Sequence, residues 1–310
     1  MRDDGVDAAP DTAAAAMADT TAAPTTANAA TAPSSPADKD EAVPRYVVLL
    51  AMCAALNSCN LGYDIGVNSG VGPHLQARGE GMNLSDLQLE LFFGIFGLAA
   101  MLGAAVAYTA SDGLGRRKAF ACTSITFIIG VLWTATATSY PSLMMGRFVT
   151  GLGVGLGLAI DPVYIAEVSP PKHRGRLVTW SETATNVGIL LGFVSGFAFR
   201  DAGEAGWRSM LALGAVIPAV LLVLVFTVMP ESPRWLVAKG RSEEAKLILR
   251  RCYPPSSDVD AVVAAIQSAI EEERNASNAY GWSALLWRPT KTTKRMLIVG
   301  VGVAMSQQTT

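Results

Sequence analysis

Six apolar runs, each long enough to cross a bilayer, follow one another at about 46–69, 87–109, 119–138, 142–165, 177–199 and 207–229, and a seventh opens near Arg295. A span needs about 20 mostly apolar residues. In lipid the backbone must satisfy its own hydrogen bonds, so runs of this length fold as helices. Composition agrees: 51% of the 310 residues are hydrophobic and 16% are charged, against roughly 25% charged in soluble domains. The sequence predicts an all-α membrane protein.

Lysine and arginine orient it. Arg116, Arg117 and Lys118 stand between runs two and three, Lys172, Arg174 and Arg176 between four and five, and Arg234, Lys239 and Arg241 after six. The alternate connections carry Arg78, then no cation, then Arg200 and Arg208. The basic set is expected in the cytoplasm, with the N-terminus inside. Residues 1–44 are rich in Ala, Thr and Pro, hold Asp3, Asp4, Asp7, Asp11 and Asp19, and almost lack large apolar side chains. They read as a disordered cytoplasmic tail. Their acids argue against a transit peptide, and no short apolar core precedes a cleavage site. Residues 45–230 read as the bundle, 231–290 as amphipathic cytoplasmic helices beginning near Ser242 and Asp258, and 291–310 as the start of a seventh span. Asn83-Leu84-Ser85, on the outer side, is a glycosylation sequon.

The net charge of −2 gives no footing for nucleic acid, and two histidines and four scattered cysteines offer no metal set. The cysteines read as inert apolar residues. No nucleophile stands with a base, so no enzyme chemistry is expected. "GLGVGLG" (151–157) follows no strand, and its small residues, with Gly188, Gly192 and Gly196, suit close helix packing.

Ionisable residues inside spans cost about 2.5–3.5 kcal/mol each and mark function. Set back from the ends of the runs, four positions pay this cost: Asp64, Arg147, Asp161 and Glu182. Asn57, Asn60, Asp64 and Asn68 share one helical face, which belongs against a bundle interior or a wet cavity, or in an interhelical hydrogen-bond seam. Asp64 and Arg147 both lie roughly 8 Å below the outer surface at the helical rise. They are placed to pair, either as a permanent structural bridge or as a proton-sensitive one. Glu182, Thr185 and Asn186 share a face suited to hydroxyl-bearing solutes or to packing. Asp161, near the inner end of the fourth span, reads as reaching water or the loop cations, without an assigned role.

Several stretches, in order, resemble the sugar porter family of the major facilitator superfamily: "SDGLGRRK" (111–118), "GRFVTGLGVG" (146–155), "PVYIAEVSPPKHRGRL" (162–177), "PESPRWL" (230–236) and "SQQTT" (306–310). The resemblance covers about 45–310. It implies the N-terminal six-helix half of a major facilitator fold, built as inverted three-helix repeats. It also implies that Asp64 and Arg147 couple a proton, and that Glu182, Gln307 and Gln308 bind substrate. Asp112, Arg116, Arg117, Glu167, Arg174, Glu231 and Arg234 would form a cytoplasmic gate. Tyr108 and Asp161 depart from the family pattern. The first outer loop lacks the cysteine of one hexose branch, which leans toward polyol carriers. The implied function is proton-coupled symport of a polyol or monosaccharide at a plasma membrane, with the tonoplast as the alternative address, protons as the coupling ion and no cofactor. The implied partners are the lipid bilayer and a C-terminal half needed for transport. A facilitative uniporter, a sugar sensor and a truncated, non-transporting fragment are the alternatives.

Overall fold

Each of the first six expected spans is a helix, or a pair of helices, in the computed structural model, which describes residues 43–77, 82–279, 294–296 and 298–302. The spans are α1 (Arg45–Gln76), α2 (Asp86–Leu114), α3 (Arg116–Thr136), α4 (Tyr140–Val168) and α5 (Pro171–Phe199), then α6 (Gly203–Leu213) with α7 (Val216–Thr227). Among the described residues all regular structure is helical, with six helical spans long and apolar enough to cross a membrane. Most of the expected tail, residues 1–42, lies outside the described residues, as do 303–310.

Local chemistry sets the ends. Ser85 and Gln88 form a reciprocal capping box at the start of α2, satisfying two otherwise orphaned donors. Ser85 belongs to the Asn83 sequon, and Asn83 itself is exposed at φ 54°. Prolines sit in the first turns of α4 and α5, where a missing N–H is harmless. The sixth run, expected to be continuous, is broken between Leu213 and Val216. Pro218 has no N–H for the Gly214 carbonyl and its ring crowds that group. The N–H groups of Gly214 and Ala215 turn instead to Leu211 and Ala212, three residues back. Tyr63 seals the break by donating to the Met210 carbonyl at 2.7 Å.

The first helix of each three-helix unit packs in parallel on the second helix of the other. Gly66 and Gly70 of α1 meet Gly192 and Gly196 of α5, Gly62 meets the α5 backbone at Thr185 and Ile189, and Gly188 meets the α1 backbone at Cys59 and Tyr63; Gly151 and Gly155 of α4 meet the α2 backbone at Phe96 and Ala100. Missing side chains let backbones touch where no hydrophobic force drives helices together. One buried apolar cluster gathers Val47, Phe120, Tyr164 and Leu221; another gathers Val67, Phe92, Leu143 and Trp207. Between them lies a polar belt of Asn57, Ser58, Asn60, Asp64, Arg147 and Asp161, all buried. Outward-facing apolar side chains such as Leu98, Met101, Leu190 and Phe197 are 61–70% exposed, as expected of a surface that meets something other than water.

After the bundle come α8 (Pro233–Ala238), α9 (Ser242–Cys252) and α10 (Val259–Ala279). They close a small core of Leu236, Ala245, Leu249 and Val263. Lys246 bridges Glu243 and Asp260, at 3.0 and 2.8 Å, joining α9 to α10, and its hydrogen bond holds the Asp260 carboxyl below its ordinary value. Burial pushes the Cys252 thiol up to about 12, which keeps it unreactive at neutral pH. Cys53 and Cys59 are also buried, whereas Cys122 is exposed.

A Cβ on Gly62 would overlap the Thr185 carbonyl, while nothing lies within 4 Å of one on Gly97. Gly62→Ala is therefore expected to destabilise the bundle by about 1–3 kcal/mol, read as a lower melting temperature in detergent. Gly97→Ala leaves the melting temperature unchanged or raises it.

Candidate functional site

Arg147 Nη1 on α4 donates to Asp64 Oδ1 on α1 at 2.6 Å, and each side chain is 3% exposed. A third wall comes from α2. The guanidinium lies over the rings of Phe92 and Phe96, at 5.0 and 4.2 Å from their centroids. Cation–π contact strengthens when water is excluded. The two phenylalanines stand four residues apart on one face of α2, a spacing that is visible in "LFFGIF" and can be assigned to a cation only once α4 is beside it. Asn68 Nδ2 donates weakly to Asp64 Oδ2 at 3.4 Å. Asn68 also lines a cavity of about 390 Å³ with Ser69, Gly72, Pro73, Gln76, Leu89 and Phe93. The ion pair is thus buried, with one amide between it and an open space.

The polar stripe of α1 divides. Asn68 serves Asp64. Asn57 donates to Asp161 at 3.3 Å, joined by Ser58 Oγ at 2.8 Å. Asp161 does not reach water or the loop cations, as its position in the chain suggested; it is 1% exposed. The side of α4 it occupies faces α1, and Ser58, one residue off the stripe, had no signal marking it.

Glu182 is exposed on α5. Three residues on, Thr185 lies against Gly62, so in this parallel pair Glu182 is roughly level with Cys59, about 8 Å along α1 from Asp64. Asn186 donates to the Glu182 main-chain carbonyl at 3.0 Å, leaving the carboxylate open to the exterior of this bundle. Gln307 and Gln308 lie outside the described residues.

At the opposite end of the bundle from that cavity, Arg116 is a hub. Its Nε and Nη2 donate to the two Glu167 oxygens, both at 2.9 Å, and Nη1 reaches Asp112 at 2.9 Å and the Ser111 carbonyl at 3.2 Å. Such a two-pronged contact fixes geometry as well as charge. Glu231 does not pair with an arginine side chain. Its Oε1 accepts the main-chain N–H of Arg116, Arg117 and Ser232, at 2.7, 3.2 and 3.0 Å. A carboxylate there satisfies orphan donors and meets the positive end of the α3 dipole. Gly115 makes room: its φ is +93° and a Cβ would overlap Glu231. Arg117 donates to the Val225 and Phe226 carbonyls at the end of α7. Arg234 pairs with Glu273 of α10, and Trp235 Nε1 donates to the Asp112 carbonyl at 3.0 Å. Arg174 is exposed and makes none of the ion pairs of this cluster. Of the seven gate residues expected, the structure joins Asp112, Arg116 and Glu167 directly, and ties Glu231 and Arg117 in through main-chain groups.

Residues 50–310 match the family model described as sugar (and other) transporter. Plant relatives include Polyol transporter 5 of Arabidopsis thaliana, 36% identical over 276 residues, covering 85% of this chain and 50% of that protein. The human Proton myo-inositol cotransporter is 36% identical over 270 residues, 87% of this chain and 41% of that protein. The chain thus spans about half the length of the curated relatives it matches. Among solved structures, the major facilitator proton:xylose symporter XylE bound to 6-bromo-6-deoxy-D-glucose matches with a TM-score of 0.71 and 26% identity, over 80% of this chain and 57% of that one.

Arg147→Ala is expected to cost about 3–5 kcal/mol, because it strands a buried carboxylate. Adding Asp64→Asn should recover part of that loss, giving a non-additive double-mutant cycle in detergent melting measurements.

Proposed function

The chain belongs to the sugar porter family of the major facilitator superfamily, and from that premise we propose that it forms the proton-coupling half of a symporter of polyols or monosaccharides. The carrying observation is the Asp64–Arg147 bridge, 2.6 Å long and buried between two spans. While Asp64 is ionised the bridge holds α1 to α4. A proton on Asp64 removes the charge that Arg147 answers and frees the guanidinium, biasing the bundle toward another arrangement. Asn68, between the pair and the outer cavity, supports proton entry from that side. The names of relatives point the same way: polyol carriers, a proton-linked inositol carrier and a proton-linked xylose carrier.

Substrate would bind against the open face of α5. Glu182 presents an unengaged carboxylate there, an acceptor for the paired hydroxyls of a polyol. Gln307 and Gln308 would add amide donors and acceptors from the seventh span. The Arg116 cluster would hold the cytoplasmic side shut and release when the bundle rocks. In this reading the N-terminus is cytoplasmic and the protein lies in the plasma membrane.

Uptake of labelled sorbitol, xylitol, inositol and xylose into sealed vesicles under an imposed pH gradient tests this, with the full-length protein. Wild type should accumulate one of them and lose accumulation when a protonophore is added. Asp64→Asn should reduce uptake to equilibration while substrate exchange persists. Undiminished accumulation by that variant would refute Asp64 as the coupling site, and a wild type that only equilibrates substrate would be a uniporter. Glu182→Ala should weaken substrate binding about 10–100-fold, the loss of a hydrogen bond to a charged group, with proton coupling intact.

A further inference from the structure

Asp161 sits where α4 meets α1, about 10 Å along α1 from the Asp64 bridge at the helical rise. Both of its hydrogen bonds fall on one oxygen: Oδ2 accepts from Ser58 Oγ and Asn57 Nδ2. Oδ1 is buried without a partner. Both donors are neutral. The charged groups of the surrounding elements are committed elsewhere or exposed. Asp64 of α1 and Arg147 of α4 hold one another. Asp112 of α2, Arg116 of α3 and Glu167 of α4 form their own cluster, and Arg117 of α3 is bonded to α7 carbonyls. Lys172, Arg174, Arg176 and Glu182 of α5 are exposed, and Arg234 of α8 is paired with Glu273. Of the neutral titratable groups, Tyr164 donates to the Pro230 carbonyl, and Cys53 and Cys59 are buried thiols. Nothing among the described residues offers Asp161 a positive charge.

We infer that Asp161 is a proton-binding site of the bundle, separate from the Asp64 bridge, holding a proton on Oδ1 at neutral pH in the arrangement seen here. An ionised carboxylate with no countercharge is far more costly to bury than a neutral carboxyl, even one whose O–H lacks an acceptor. The surroundings suit a proton better than a metal ion. Ser58 and Asn57 turn hydrogens toward the carboxyl, and the Asn57 amide fills the space left by Gly157, where a Cβ would overlap it. A proton needs no such volume. Contact between α1 and α4 at this level therefore depends on a neutral carboxyl. Losing the proton to water places an unanswered charge in the seam, so rising pH weakens the contact. The site does not depend on the transport reading and can be tested without substrate.

Infrared difference spectroscopy of the whole chain in lipid nanodiscs reads it directly. Wild type at neutral pH should show the carbonyl stretch of a protonated carboxyl, shifted downward in deuterium oxide. Asp161→Asn should remove that band, and Asp64→Asn should leave it. Superimposable wild-type and Asp161→Asn spectra in this region would overturn the site. Should Asp161→Asn fail to fold, Ser58→Ala decides. Removing one hydrogen bond from the carbonyl oxygen should move the band to higher frequency, and an unmoved band refutes the assignment.

Discussion

Two opposite charges meet at 2.6 Å between α1 and α4 with almost no water around them. Each alone would be expensive in a bilayer, and together they are tolerable only because the geometry is tight and the remaining faces of the guanidinium rest on aromatic rings. That requirement reaches outward through the bundle. Helix α1 must lie close enough to α4 for the bridge and must also rest on α5, which the paired glycines of α1 and α5 permit. Helix α4 must likewise rest on α2, from which Phe92 and Phe96 complete the enclosure. The parallel, glycine-lined pairings are therefore the scaffold that puts a carboxylate and a guanidinium within reach inside lipid.

The same helix carries the other charge cluster. Glu167 stands near the end of α4 and Arg147 near its start, roughly 30 Å apart along the axis at the helical rise. The bridge to α1 and the hub at Arg116 therefore sit on one helix. The hub is reinforced by a helix cap. Glu231 closes the N-terminus of α3 and so joins the segment after α7 to the turn between α2 and α3. Acidic chemistry that looked like side-chain pairing serves main-chain donors instead.

Much of this was legible in the chain. Apolar length marked the spans, Lys and Arg marked the basic ends, and the matched depth of Asp64 and Arg147 pointed to their meeting. The break in the sixth span was less visible: Pro218 signals trouble, but whether a helix kinks or splits depends on what packs against the freed carbonyl, here beside Tyr63. Asp161 was misread because distance from a helix end says little about which neighbour covers a side chain. Arg174 is exposed and outside the ion pairs of the Arg116 cluster: a cation in a basic loop has freedom to stay in solvent, and nothing in its sequence neighbourhood says that it must dock.

By itself the sequence determined that this chain crosses lipid as helices, because a backbone without water can satisfy its hydrogen bonds in few other ways. It also determined which residues face one side of each helix, because the helical period is set by backbone geometry. Only the tertiary structure decided which of those faces touch. That choice turned Asn57 and Ser58 toward Asp161, set Phe92 and Phe96 under Arg147 and gave Glu231 to a helix terminus. Contacts between helices depend on close packing of small residues far apart in the chain, and no local pattern encodes which partner each stripe will find.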